Sequence, residues 1–139
     1  MSKVVLASNL PDLADSKILL RIESYFEAFN RGDFASVAGL FAATGCLQPP
    51  FEPPVERDRL ASFLQEQGLE MILEPTEALL TEASEHPGEV MVTGSVRTPW
   101  FRVNAAWYFR LNGEAEIDYL RVKLLAAPAD LLQLRETLR

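Results

Sequence analysis

The sequence is poor in the residues that most recognisable chemistries need. Its 139 residues include one cysteine, Cys46, and one histidine, His86. A lone cysteine excludes an internal disulfide and a cysteine-based zinc site. A single histidine without a clustered set of carboxylates makes a poor metal site, and neither metal nor nucleotide is expected as a cofactor. Basic residues are also scarce, with 13 Lys and Arg against 20 Asp and Glu, a net charge of −7 and a pI near 4.7. Phosphate binding requires a concentrated basic surface, so nucleic acid is not an expected partner. The same balance disfavours anionic membrane surfaces. The longest apolar runs, such as Leu124 to Ala127, are too short to cross a bilayer, so no membrane insertion is expected. Lys3-Val4-Val5-Leu6-Ala7 has too short an apolar core for a signal peptide, which points to a cytoplasmic protein.

What is present is an ordinary globular balance, 48% apolar and 24% charged. Residues 1–14 read as an N-terminal arm and 15–139 as one domain. Asp15 and Ser16 offer N-cap oxygens to a helix running to about Gly32, with Ile18, Ile22, Tyr25 and Phe29 at helical spacing and Leu19 and Phe26 widening the stripe. Asp33 begins a second helix whose buried face is Phe34, Val37, Leu40 and Phe41. The proline-rich GCLQPPFEPPV predicts a short edge strand or a stiff rim, because proline lacks the donor that a central strand needs. A third helix starts at Asp58, runs through Leu60, Phe63 and Leu64, and stops near Gly68.

Beyond Gly68 the period changes from helical to two. Residues 70–84 read weakly as strand, and Glu85-His86-Pro87-Gly88 as a turn. Val90, Val92 and Val96 alternate along a strand reaching Phe101; Ala105, Trp107, Phe109 and Leu111 alternate along the next, ending at an Asn112-Gly113 hairpin turn. In the last strand Leu120, Val122 and Leu124 face one way and Arg121 and Lys123 the other. Pro128 opens a closing helix, 129–139. Helices followed by a meander of antiparallel strands imply an α+β domain in which a curved sheet wraps around the early helices.

Both tryptophans fall in TPWFRVNAAW, residues 98–107. Their separation is odd, so one continuous strand would send them to opposite faces. A reversal within Phe101 to Asn104 instead pairs Thr98 with Trp107 and places both rings on one face. That reversal is preferred, because an unbroken strand from 89 to 112 would be unusually long. Trp107 then shares the concave face with Ala105, Phe109, Val92 and Val96, either as core filler or as a cavity wall. A buried indole N–H usually finds an acceptor, and a phenol such as Tyr25 aimed into the same space would let two donors grip one carbonyl oxygen.

GCLQPPF, VTGSVRTPWF, NAAWYFRLN and VKLLAAPADLLQL closely resemble the C-terminal domain of the orange carotenoid protein and its stand-alone homologues, over about residues 16 to 137. These belong to the nuclear transport factor 2-like (NTF2-like) superfamily, whose fold is an α+β cone with a curved antiparallel sheet. The resemblance implies a non-enzymatic domain holding a ketocarotenoid, with Tyr25 and Trp107 donating to its keto oxygen. Pro99 and Trp100 of the TPW piece, with Phe109, Val122 and Leu124, complete the candidate ligand-binding set. A homodimer through the sheet is the expected assembly, and a ligand-free dimer using its sheet as an interface is a third alternative. The glycine-rich stretch that the family carries between its tryptophans is missing here. The cysteine that stand-alone homologues use for redox-linked dimerisation falls at Tyr119, and Cys46 lies elsewhere in the sequence.

The same superfamily contains ketosteroid isomerase-like, dehydratase and epoxide hydrolase enzymes, each needing an acid or base inside the cone. The alternative function is therefore an isomerase or hydratase using Asp118, with Tyr25 as oxyanion donor. Asp118 shares the parity of Leu120 and Val122, but a solvated carboxylate beside a hairpin is the plainer reading of the same position.

Overall fold

A computed structural model describes residues 7–8, 13–81 and 89–125, with side chains described over 16–79 and 89–125. A two-residue strand, β1 (Ala7–Ser8), precedes helix α1 (Leu13–Asn30), which begins ahead of the expected Asp15–Ser16 cap. Ile22, Tyr25, Phe26 and Phe29 form its buried stripe, flanked by partly buried Ile18 and Leu19. The helix ends in a Schellman turn. Gly32 takes φ +75°, its N–H donates to Phe29 O, and the Asp33 N–H donates to Ala28 O, both at 2.9 Å. Two carbonyls left over by the last turn are thereby satisfied, and glycine adopts the left-handed conformation with no Cβ to clash. The Asn30 side chain then acts as a strand partner: its Nδ2 donates to Leu73 O and its Oδ1 accepts from the Leu73 N–H, both at 2.8 Å.

Asp33 caps α2 (Phe34–Gly39), accepting from the Ser36 N–H at 3.2 Å and the Ser36 hydroxyl at 2.6 Å. Those bonds hold its carboxyl below the ordinary value. Phe41, expected on this helix, is instead the first residue of β2 (Phe41–Gln48). Sheet pairing takes over at Leu40, whose carbonyl accepts from the Ile117 N–H at 3.0 Å. The proline-rich stretch is thus divided. Gly45–Gln48 lies within β2, between the last strand and the two-residue β3 (Val55–Glu56), while the four prolines fall between β2 and β3. Helix α3 (Arg57–Gln67) follows directly and stops where the Gly68 N–H reaches Leu64 O at 2.7 Å.

The remaining strands are β4 (Ile72–Thr81), β5 (Glu89–Arg97), β6 (Arg102–Leu111) and β7 (Ile117–Leu125), in the sheet order β1-β4-β5-β6-β7-β2-β3. The β4–β7 meander is antiparallel, and β1 on β4 and β2 on β7 are parallel additions at its two sides. Bulges at Pro75/Glu77 and Arg110/Leu111 bend the sheet around α1. At the first of these, a Cβ on Gly94 would collide with the Glu74 carbonyl oxygen. The 85–88 turn with His86 and the 129–139 helix lie outside the described residues.

Two turns differ from expectation. The β5–β6 reversal is real, but it closes at Arg97↔Arg102, so Trp107 pairs with Val92 and not with Thr98. Thr98 makes this earlier loop possible without glycine: its Oγ1 accepts from the Trp100 and Phe101 N–H groups, and its own N–H donates to Phe101 O. Asn112-Gly113 does not form a two-residue turn. The Ala115 N–H bonds to Asn112 O, Ala115 itself takes φ 59°, and Asn112 Oδ1 accepts from Glu114 and Glu116. This is the longer hairpin loop that ends on a left-handed residue.

Candidate functional site

Between α1 and the concave sheet face lies an aromatic cluster. Phe26 meets Trp107 edge to face at 5.0 Å, and Tyr25 meets Phe26 and Phe109 in the same way at 5.2 and 5.4 Å. Such contacts fix the rings in place. On the open side of this cluster is a cavity of about 250 Å³. Tyr25 and Phe29 of α1 line it, with Phe63, Leu64 and Gln67 of α3. The sheet contributes Leu47, Leu73, Val96, Val103, Trp107, Val122 and Leu124, and the loops contribute Pro49, Pro50, Glu52, Gly68, Met71, Thr98 and Phe101. The lining is almost wholly hydrocarbon.

Polar side chains interrupt it at Glu52, Gln67 and Thr98, and at Tyr25 and Trp107. Tyr25 is 2% exposed and Trp107 1% exposed, yet both border the cavity. Among the described residues no hydrogen bond joins the Tyr25 hydroxyl or the Trp107 indole N–H to a partner, and neither atom belongs to the fully buried, unsatisfied set. Burial pushes the Tyr25 phenol well above its ordinary pKa of 10.0. It is therefore a neutral donor throughout the physiological range. Glu52 is the one carboxylate among the lining residues, and it stands at the exposed rim.

Tyr25, Trp107, Val122 and Leu124 of the expected set are brought together around this cavity. Val122 and Leu124 are half-buried, packed against the core and lining the cavity. The structure separates the other three. Phe109 is fully buried beneath Tyr25 and does not reach the cavity. Pro99 and Trp100 sit in the β5–β6 loop outside the cavity, with Trp100 78% exposed. The earlier reversal explains this displacement, since it leaves Trp100 in the loop and not on a strand. The expectation that both indoles share a sheet face is therefore corrected.

Asp118 is exposed. The bulge pairs Ile117 with Leu111 and Tyr119 with Arg110, so Ile117 and Leu120 turn inward and Asp118 is left outside. Lys123 is exposed as expected, but Arg121 is half-buried because its guanidinium lies over the Tyr108 ring at 4.3 Å. Cys46 is the register partner of Tyr119. Burial and nearby Glu56 raise its thiol pKa. Among the described residues, no group of three His, Cys, Asp or Glu is placed to hold a metal.

Sequence reading missed Phe29, Met71 and Val103 as cavity walls. Their apolar character was visible, but nothing in a linear period distinguishes a residue facing a cavity from one facing a core. Phe63, Leu64, Pro49 and Pro50 were legible as a helix face and a rim, though not as two sides of one space.

No family model matches the chain. Over 114 residues it is 36% identical to the orange carotenoid-binding protein of Synechocystis sp., covering 78% of this chain and 36% of that one. The chain thus spans about a third of the length of the curated relatives it matches. The solved orange carotenoid protein of Anabaena (Nostoc) sp., binding canthaxanthin, superposes with TM-score 0.73 at 32% identity, over 95% of this chain and 41% of that one. SalBIII, an epoxide hydrolase/cyclase-like enzyme of pyran ring formation in salinomycin, shares the fold with TM-score 0.67 at 20% identity, over 80% of this chain and 92% of that one.

Proposed function

For this chain, a homologue of the C-terminal domain of the orange carotenoid protein with an NTF2-like α+β cone, we propose that the function is to bind an apolar small molecule without transforming it, and that the molecule is a ketocarotenoid. One observation supports the reading: two buried residues that carry neutral donors, Tyr25 and Trp107, border a predominantly apolar cavity. A ketone oxygen accepts two such bonds, and a carboxylate or cation finds no counter-charge at that end. Each bond contributes roughly 1 kcal/mol. Most of the affinity comes from apolar burial at roughly 25 cal/mol per Å², less the cost of association.

The cavity's size sets how the ligand is held. At about 250 Å³ it is smaller than the roughly 300–1,000 Å³ that encloses a drug-sized molecule. One ring end of a long polyene occupies it, and the rest of the chain leaves through the mouth. The isomerase or hydratase alternative needs an acid or base inside the cone. Asp118 lies outside it and Glu52 stands at the rim, so neither of these carboxylates supplies that group. The homodimer through the sheet belongs to the same proposal, and the mass of the protein in solution tests it.

The test of the ligand is direct. Protein made in a ketocarotenoid-producing host should acquire a visible absorption band, and the double variant Tyr25→Phe, Trp107→Phe should shift that band and weaken binding while remaining folded. Failure of the wild-type protein to take up any carotenoid would refute the function. An unchanged band and affinity in the double variant would refute the assigned donors.

A further inference from the structure

Helix α1 meets the sheet in two ways. Phe26 and Tyr25 rest edge to face on Trp107 and Phe109, contacts whose apolar part is non-directional. The second contact is polar and directional. Asn30, the last residue of the helix, bonds both the N–H and the C=O of Leu73 at 2.8 Å. The backbones of α1 and β4 also run close together. Two bonds to one residue fix the distance and the rotation of the helix end, where a single bond would let it pivot. Helix termination does not require this clamp, because Gly32 and Asp33 already close the last turn. Helical geometry turns the clamp into a lever. Tyr25 and Asn30 stand about 140° apart around the axis and roughly 7.5 Å apart along it. The buried Ile22, Phe26 and Phe29 lie between them, so the two residues occupy opposite flanks of the face that α1 turns to the sheet. A rotation that lifts one flank lowers the other. The cavity has a wall on each flank: Tyr25 on one, and Leu73 with its register partner Val96 on the other.

We propose that Asn30 is a positioning residue for the ligand: its clamp on Leu73 sets the rotation of α1 and thereby where the Tyr25 hydroxyl stands relative to the Trp107 indole. This deepens the ligand reading above and rests on it, since a ketone held by two donors responds to a small displacement of either. The two donors are not equally fixed. Trp107 stands on β6, which is paired on both sides, through Val92 of β5 and Val122 of β7. Tyr25 stands on a helix, and its place depends on how that helix is seated. A rotation of about 10° moves a side-chain tip at the helix's outer radius of roughly 5–6 Å by about 1 Å. That displacement takes a bond of roughly 2.8 Å beyond hydrogen-bonding distance. Apolar packing alone tolerates such a rotation, and the bidentate amide does not.

The experiment is a double-mutant cycle on the whole chain, loaded in a ketocarotenoid-producing host and read in the visible band. Asn30→Ala should shift the band in the same direction as Tyr25→Phe and weaken binding about fivefold, the equivalent of one bond. In the Tyr25→Phe background it should add no further shift, because the group that it positions is gone. Asn112→Ala is the control for a merely structural role. It removes side-chain bonds to Glu114 and Glu116 in the β6–β7 hairpin, away from the cavity lining, and should leave the band in place. An unshifted band in Asn30→Ala, an equal shift in both backgrounds, or a like shift in Asn112→Ala would overturn the proposal. If Asn30→Ala does not fold, Asn30→Asp enters the same cycle: it keeps the shape and the acceptor for the Leu73 N–H but loses the donor to Leu73 O. A crystal structure of the ligand-free Asn30 variant separates the two readings. A displaced Tyr25 hydroxyl, in a protein whose wild-type form takes up no carotenoid, removes the ligand and keeps the clamp's hold on the phenol. An unmoved Tyr25, in a protein that does take up carotenoid, removes the positioning role and keeps the ligand.

Discussion

Replacing Tyr25 with phenylalanine should move stability and ligand affinity in different directions. The ring packs edge to face on Phe26 and Phe109, and phenylalanine keeps both contacts. Only the hydroxyl is lost, and it has no hydrogen-bond partner among the described residues. An unpartnered hydroxyl adds no bond to the fold, so stability should be unchanged or raised by up to ~1 kcal/mol. For a domain of this size that is a rise in Tm of zero to about 4 °C. The same change removes one of two bonds to a bound ketone, worth roughly 1 kcal/mol or about fivefold in Kd. A pH effect accompanies it. The phenol's pKa is raised by burial, so the folded state holds its proton more tightly than the unfolded chain. The stabilisation from that difference is complete below the ordinary value of 10.0 and is lost as pH rises above it. Tyr25→Phe should flatten this alkaline loss. Thermal unfolding at neutral and alkaline pH, with a ketocarotenoid titration followed in the visible range, measures all three effects. A fall in neutral-pH stability of more than ~1 kcal/mol would mean that the hydroxyl is bonded within the fold, and the case for a ligand-directed donor would collapse.

Other perturbations test how the site is positioned. Asn30→Ala removes both bonds to the Leu73 backbone and should cost about 2 kcal/mol in urea unfolding; a loss near zero would mean that packing alone sets the start of β4. Ala115→Gly relieves a left-handed residue at φ 59° and should stabilise by about 0.5–1 kcal/mol, read as a higher urea midpoint with unchanged slope. Asp33 has a lowered pKa from its Ser36 bonds, so its capping contribution is present above the ordinary value of 3.8 and lost as pH falls through the folded value. Asp33→Asn retains an acceptor that does not titrate and should reduce the acid sensitivity of unfolding below about pH 4, measured by circular dichroism against pH.

Local rules were legible wherever one residue settles one question. The Gly32 stop, the Asp33 cap, the α3 apolar face and the inward parity of Trp107 all follow from chemistry within a few residues. Parity also required a reversal between the tryptophans, and the chain does reverse there. Where it reverses was not legible, because a threonine hydroxyl organises the loop in place of the glycine that the usual turn signal requires. The bulge at Asp118 was hidden for a similar reason. A single extra residue inverts the alternation, and the pattern Ile117, Leu120, Val122 remains readable with or without it.

The amino-acid order by itself determined an acidic α+β domain, its helix stops, the inward face of β6 and the pairing of a phenol with an indole as candidate donors. Those properties depend on period, composition and neighbours along the chain. Only the tertiary structure decided which inward residues pack solid and which enclose space. Phe109 and Trp107 have the same parity on one strand, but α1 crosses so that Tyr25 seals the first and leaves the second bordering a cavity. It also sent Trp100 outward, into the β5–β6 loop. A cavity is the space left between elements after they dock, and no single element's sequence specifies where that space lies.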